Sequence, residues 1–223
     1  MKTVVITGAS DGLGKALAEK LSTTHTIVAL ARNEQALQEL AAKTSCDYIV
    51  CDVRNAQQVQ KAFDQVAQKH QAIDVLINNA GVIVNGELVD TVDEDIENVI
   101  TTNTLGSIYV AKAALKLMKP QKRGQIINVI SQSGLSAKAG RSIYNASKWA
   151  LTGFTKALQD EVSAYGVRVT GFYPGTIQTD LFKKAGLEIK GSAITVEQAV
   201  KSVEFILDCD ENVIIPELGV KHV

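Results

Sequence analysis

Tyr144 and Lys148 stand four residues apart in Tyr144-Asn145-Ala146-Ser147-Lys148. On a helix that spacing places a phenol and an ammonium on one face. A free tyrosine, with a pKa of about 10, is protonated at neutral pH. A nearby ammonium favours the phenolate and lowers that value. Such a tyrosine can give a proton to a ketone oxygen or take one from an alcohol, work typically worth ~10²–10⁴ in rate. The lysine can also bond a ribose hydroxyl. Ser131 ends an apolar run upstream, and its hydroxyl can hold and polarise a substrate oxygen. Ser133 is a rival for that place. Asn103 lies in Thr101-Thr102-Asn103-Thr104, inside a segment of helical period. An asparagine there competes with the backbone for its hydrogen bonds. Its presence predicts a kink or a bound water, which could relay protons towards Lys148.

A second chemical signal follows the first apolar run. The turn Thr7-Gly8-Ala9-Ser10-Asp11-Gly12-Leu13-Gly14 has GxxxGxG spacing rather than GxGxxG. Its glycines let the backbone approach a pyrophosphate closely, and a helix starting near Gly12 aims free N–H groups at it. Gly8, Ser10, Gly12, Leu13 and Gly14 are therefore expected to touch a dinucleotide. The second run ends Ala31-Arg32-Asn33, with no acid at its tip. Arg32 suits a 2′-phosphate, so NADP(H) is preferred and NAD(H) remains possible. Asp11 argues the other way, because its charge near that phosphate would repel it. Asp52 and Val53, after the third run, offer a carboxylate and an amide to an adenine. Asn79, Ala80 and Gly81, in Asn78-Asn79-Ala80-Gly81, let the chain pass close to a ribose, while the Asn amides brace neighbouring strands.

These groups need elements to position them. Apolar runs of strand length fall at Thr3–Thr7, Thr26–Ala31, Asp47–Cys51, Ile73–Ile77, Gly124–Val129, Val167–Tyr173 and Asn212–Ile215. Helical periodicity covers Gly12–Ser22, Asn33–Thr44, Asn55–His70, Val92–Leu117, Ile143–Tyr165 and Thr195–Leu207. Strands alternating with helices predict an α/β fold: a Rossmann-type, doubly wound parallel sheet of about seven strands in three α/β/α layers. One domain over 1–223 is expected. Its ligand site should lie beyond the carboxyl ends of the strands. The segment 176–193 has little pattern and reads as a mobile substrate flap.

Of 223 residues 46% are hydrophobic, enough for a sizeable core. Lys+Arg at 23 and Asp+Glu at 24 leave a net charge of -1, which gives no reason to expect nucleic-acid binding. Cys46, Cys51 and Cys209 have no metal-ligand spacing, so no metal is expected, and Cys46 and Cys51 read as core thiols. Free thiols fit a reducing compartment. With no signal-peptide layout and no apolar run of membrane-spanning length, the expectation is a cytoplasmic protein without membrane contact.

Taken together, these motifs resemble the classical short-chain dehydrogenase/reductase family. The match runs from Thr3 to about Thr179, in the order Thr7-Gly8-x-x-x-Gly12-x-Gly14, Asp52, Asn78-Asn79-Ala80-Gly81, Asn103, Ser131, Tyr144-x-x-x-Lys148, Pro174-Gly175. The resemblance implies a catalytic tetrad of Asn103, Ser131, Tyr144 and Lys148. It implies that Ile177 and Thr179, following Pro174-Gly175, contact a nicotinamide carboxamide. It also implies strand order 3-2-1-4-5-6-7 and a homodimer or homotetramer packed through the two long helices. The chain is short after the sixth strand, which suggests an open or small pocket. The activity implied is hydride transfer between NADP(H) and a small carbonyl or alcohol substrate. A nucleotide sensor or interaction protein with little turnover is the alternative, although such a protein would be expected to lose Tyr144 or Lys148. An epimerase would need a larger substrate domain.

Overall fold

Val4 and Ile6 turn to one side of the first strand and Val5 to the other, and all three are fully buried. A strand buries both faces only when helices cover both sides of its sheet. The computed structural model, which describes residues 1–189 and 191–223, has that architecture. Strands β1 (Thr3–Thr7), β2 (Thr26–Ala31), β3 (Asp47–Val50), β4 (Val75–Asn78), β5 (Gly124–Val129), β6 (Val167–Pro174) and β7 (Glu217–Val220) form one parallel sheet in the order 3-2-1-4-5-6-7. Helices α1 (Gly12–Leu21) and α2 (Glu34–Thr44) cover one face, while α3 (Ala56–His70) packs on the other. That other face also takes α5 (Ser107–Gln121) and α6 (Ser142–Ser163), preceded in the chain by α4 (Asp93–Ile100). The first face is completed by α8 (Val196–Leu207), after the short α7 (Asp180–Lys184).

Side-chain caps explain where several helices begin. Asn33 Oδ1 accepts from Ala36 N at 3.1 Å, and Asn55 Oδ1 accepts from Gln57 N and Gln58 N, both at 3.0 Å. Thr195 and Gln198 form a reciprocal capping box on α8. Each cap satisfies backbone N–H groups that have no partner inside the helix.

The structure departs from the sequence expectations in three places. The segment expected as one helix over Val92–Leu117 is α4 and α5 joined by a π-helical turn over Thr101–Gly106, the kink anticipated at Asn103. α5 runs past the expected end at Leu117 to Gln121, with Pro120 in its last turn, and Lys122 ends it with φ 52°. The last strand is Glu217–Val220 rather than Asn212–Ile215. Val213 and Ile214 are about half exposed despite their apolarity, at 45% and 46%. As an edge strand, β7 pairs only with β6 and buries little, so no hydrophobic run marks it. In the expected flap, Gln178 N and Ile194 N pair with the carbonyls of Ile194 and Thr176 at 3.0 and 2.9 Å, tying its two ends together. Lys190, part of that flap, lies outside the described residues. Among the described residues no helix is long and apolar enough to cross a membrane.

Candidate active site

The carboxyl ends of the strands open onto a cavity of about 970 Å³. That is near the upper end of the ~300–1,000 Å³ usual for small-molecule sites, and it takes in the expected cofactor and substrate regions together. Strand order sets its polarity. Arg32 and Asp52, after β2 and β3, lie at one end, and Ser131 and Pro174, at the ends of β5 and β6, lie at the other. Every residue assigned above to cofactor or catalysis lines this cavity except Gly14 and Asn103.

The glycine turn is fixed from beneath. Thr7 is fully buried, and its Oγ1 accepts from the amides of Asn79 and Ala80, both at 3.0 Å. Asn79 Nδ2 donates to Thr7 O at 3.0 Å. Gly8 has φ +66°, and a Cβ there would stand 2.9 Å from Ala80 Cα. A Cβ on Gly14 would come within 2.3 Å of Gly8 O. Gly14 is thus where the helix closes on its own turn, behind the cavity wall. Asn78 Nδ2 donates to Ser107 O at 2.8 Å and to Asn128 Oδ1 at 3.2 Å, the bracing expected of it.

Asp11 does not stand as an unscreened charge facing the cavity. Its carboxylate accepts from Gly12 N at 2.7 Å, capping α1, and pairs with Lys184 of α7. The Lys184 contact holds its carboxyl below the usual range, with Gly12 N and Lys15 adding to the effect against partial burial. The repulsion expected between Asp11 and a phosphate is therefore offset by a cation from the flap. Asp52 is likewise paired, with Arg54 at 2.6 Å, and Arg54 also reaches Asn98 Oδ1 at 3.0 Å.

At the far end the structure brings Tyr144, Ser131 and Lys148 together. Tyr144 and Lys148 are buried, 7% and 5% exposed, and the Lys148 Nζ lies 5.8 Å from the Tyr144 ring centre. Nζ donates to Val129 O at 3.1 Å. Burial alone lowers the lysine pKa to about 8. Burial pushes the Tyr144 phenol up, partly offset by a hydrogen bond with Ser131 and by the charge of Arg141. This differs from the sequence expectation of a phenol depressed by Lys148. Both groups are desolvated, and in the protein alone that effect outweighs their attraction.

Of the two candidate serines, Ser131 is the one whose hydroxyl bears on the Tyr144 phenol. Its backbone has φ 136°, a region that a non-glycine residue occupies only under strain. Its Oγ accepts from Ser133 N at 3.1 Å and so starts the turn that follows β5. Asn103 is fully buried behind the wall. Its Oδ1 accepts from Val82 N at 2.8 Å, and its Nδ2 donates to Val82 O at 2.9 Å and Ser147 Oγ at 3.0 Å. The side chain thus clamps the segment after β4 to α6. Asn103 Oδ1 and Lys148 Nζ both crowd Gly81, where a Cβ would meet them at 3.3 and 3.6 Å.

The comparisons with known proteins bear on this geometry. The family model described as short chain dehydrogenase matches residues 2–190. The chain belongs to the short-chain dehydrogenase family. This short-chain dehydrogenase is 35% identical over 210 residues to a 3-oxoacyl-[acyl-carrier-protein] reductase of Bos taurus, covering 89% of each chain. It is 37% identical over 186 residues to an NADPH-dependent pterin aldehyde reductase of Arabidopsis thaliana, covering 81% of this chain and 76% of that one. Its fold superposes on the closed form of a serine dehydrogenase complexed with NADP+ with a TM-score of 0.92 at 28% identity, covering 98% and 94% of the two chains.

Some wall residues carried no readable signal. Lys221 and His222 line the cavity only because the last strand runs to Val220, later than expected. Lys184 gains its place through the flap helix, and Val82 through backbone atoms that any residue would supply.

Proposed function

We propose that this short-chain dehydrogenase reduces a ketone, aldehyde or 3-oxoacyl group of a small molecule, using NADPH. One observation carries the reading. The buried phenol and ammonium of Tyr144 and Lys148 and the half-buried hydroxyl of Ser131 meet at one end of an elongated cavity whose other end carries Arg32. The glycine turn fits a dinucleotide, because Gly8 and Gly14 hold the backbone where side chains would collide and α1 opens its N-terminus there. Gly8, Ser10, Gly12 and Leu13 would hold the pyrophosphate, Asp52 and Val53 the adenine, and Asn79, Ala80 and Gly81 the adjoining ribose. Pro174, Gly175, Ile177 and Thr179 would hold the nicotinamide end. Arg32, with no acid beside it at the tip of β2, makes NADP(H) the preferred cofactor and NAD(H) the weaker one. The names of the plant relative and of the NADP+-bound neighbour support this preference.

When bound, the reduced cofactor supplies the hydride. Ser131 donates a hydrogen bond to the substrate oxygen and polarises the carbonyl. Tyr144 gives its proton to that oxygen as negative charge develops on it. Burial keeps the phenol protonated until then. Lys148 supplies positive charge that stabilises the phenolate left behind, and it bonds a ribose hydroxyl of the cofactor. Asn103 positions Val82 and α6, and thereby the wall next to Tyr144 and Lys148. On this reading 1–223 is one cofactor-binding domain, with 176–193 as its substrate flap. Exposed Leu105 and Trp149, next to and on the long helices, support a homodimer or homotetramer packed there. Three free cysteines suit a reducing, cytoplasmic setting.

The test is NADPH consumption, followed by absorbance, against a panel of ketones, aldehydes and 3-oxoacyl thioesters. Turnover should fall by about 10²–10⁴ in Tyr144→Phe while NADPH binding persists. Tight NADPH binding with no turnover of any panel member would overturn the reductase in favour of a sensor.

A further inference from the structure

We infer that the cavity selects carbonyl substrates that carry an anionic group, a carboxylate or a phosphate ester, gripped by Arg141 with Lys138 and Lys221. The inference rests on the carbonyl-reductase reading and names the substrate class for that same site. It begins with Arg141, on the cavity wall three residues before Tyr144. A guanidinium carries five N–H donors in a planar fork. Among the described residues, that of Arg141 has no hydrogen-bond acceptor or carboxylate partner. Its one recorded contact is the face of the Phe182 ring, 5.3 Å to the centre. A ring on its face steadies the guanidinium and leaves the edge, where the donors lie, open.

The segment bearing these cations is held in place. Arg141 O accepts from Asn145 N at 2.8 Å, and Lys138 O accepts from Asn145 Nδ2 at 3.2 Å. Asn145 is buried and adjoins Tyr144, so both basic side chains are hung from the helix that carries the phenol. Between them Gly140, at φ +73°, offers its carbonyl to Gly86 N at 2.9 Å and ties this segment to the one after β4. Lys221 stands beside the end of β6, where a Cβ on Gly175 would meet its own Cβ at 3.2 Å. Neither Lys138 nor Lys221 forms an ion pair among the described residues.

Carboxylates on the same cavity wall are already engaged or distant. Asp11 pairs with Lys184, and Asp52 with Arg54. Asp95 lies one helical turn from Asn98, which bonds Arg54, so it faces the Asp52 end. Besides Lys148, the end near Tyr144 is left with three cations and no acid, in a chain whose net charge is only -1. The cofactor's own phosphates do not account for this cluster, since the glycine turn and Arg32 hold them at the other end. An anion on Arg141 also serves the chemistry. The Arg141 charge favours the Tyr144 phenolate, and a bound carboxylate or phosphate would offset it, keeping the phenol protonated as the acid that reduction needs.

The test uses pairs in which one member carries the anionic group and the other does not: acetoacetate against its methyl ester, and dihydroxyacetone phosphate against dihydroxyacetone. In the wild type, the ratio of kcat/KM for the anionic over the neutral member should be about tenfold or more for at least one pair. The pair that shows it tells carboxylate from phosphate. Arg141→Gln should lower that ratio about tenfold, and the double variant Lys138→Gln/Lys221→Gln should lower it too, which keeps the test in hand should Arg141→Gln fail to fold. A role of Arg141 in shaping the cavity wall alone would slow both members alike and leave the ratio unchanged. A wild-type ratio near one, or a ratio that neither variant moves, overturns the inference. If neither pair turns over, the reductase reading fails for these probes, and calorimetry decides the anion grip separately. Binding of acetoacetate or dihydroxyacetone phosphate to the NADPH-loaded protein, weakened about tenfold by the variants, upholds the grip. No binding, or binding the variants do not change, refutes it.

Discussion

Lys148→Met should make the protein more stable at neutral pH while removing its activity. The lysine is buried, and its pKa falls to about 8 from its usual 10.5. The unfolded chain thus binds this proton more tightly than the folded one. Keeping the charge buried at pH 7 costs about 3 kcal/mol, because one pKa unit corresponds to about 1.36 kcal/mol. Met is of similar length and carries no charge, so the variant escapes that cost. It loses the hydrogen bond to Val129 O, worth about 1 kcal/mol. The variant should therefore be about 2 kcal/mol more stable at pH 7. For a base whose folded pKa is depressed, the cost is full below about pH 8 and fades as pH rises towards 10.5. The folded side chain sheds its proton across that window while the unfolded one keeps it. At about pH 9.5 the cost is only about 1 kcal/mol, so the advantage of the variant should nearly vanish. Urea unfolding of both proteins, at equal concentration and several pH values in this window, measures the gap. A variant no more stable than wild type at pH 7, or a gap that stays constant with pH, would refute the desolvation argument.

Arg32→Ala should weaken NADPH binding about tenfold or more and leave NADH binding almost unchanged, as read by fluorescence titration, because one charge-assisted contact to the 2′-phosphate is lost. Equal loss for both cofactors would remove Arg32 from that role. Gly14→Ala puts a methyl 2.3 Å from Gly8 O, so the glycine turn must shift. Thermal unfolding should show lower stability and titration weaker binding of both cofactors, and a variant that binds them normally would contradict the packing described here.

The fold was readable because the strands announce themselves. Runs such as Thr3–Thr7 and Thr26–Ala31 are buried on both faces, so their sequences are nearly all apolar, and both were placed to the residue. The edge strand Glu217–Val220 escaped because it buries little, while the apolar Val213-Ile214 next to it suggested a strand where none forms. Asn103 signalled the break in its helix, because asparagine is a poor residue in a helix interior. Which atoms it would clamp could not be read, since Val82 contributes only its backbone. The Asp11–Lys184 pair was also hidden. It joins residues far apart in sequence, and the flap that brings them together has no periodic pattern. Local chemistry was thus legible, whereas contacts made through loops and main-chain atoms were not.

The site is costly to hold, and the polar core beneath it explains how it is held. Ser131 sits at φ 136°, in a region that costs about 1–3 kcal/mol, and Lys148 is a buried ammonium. Both would relax if the ends of β5 and α6 could move. Directly behind them, Asn78 bonds Asn128 at 3.2 Å, and Asn128 bonds Thr155 of α6 at 2.9 Å. Asn78 also bonds Ser107 O, at the start of α5. These side chains are all buried, where an apolar residue would pack as well but fix no direction. A chain of satisfied hydrogen bonds instead sets β4, β5, α5 and α6 in one register, since any slip would strand a buried polar group at about 1–3 kcal/mol each. Asn103 repeats the device one layer nearer the cavity by bonding Val82 and Ser147 together. The asparagines around the site therefore act as the frame that keeps a strained serine and a desolvated lysine on either side of one phenol.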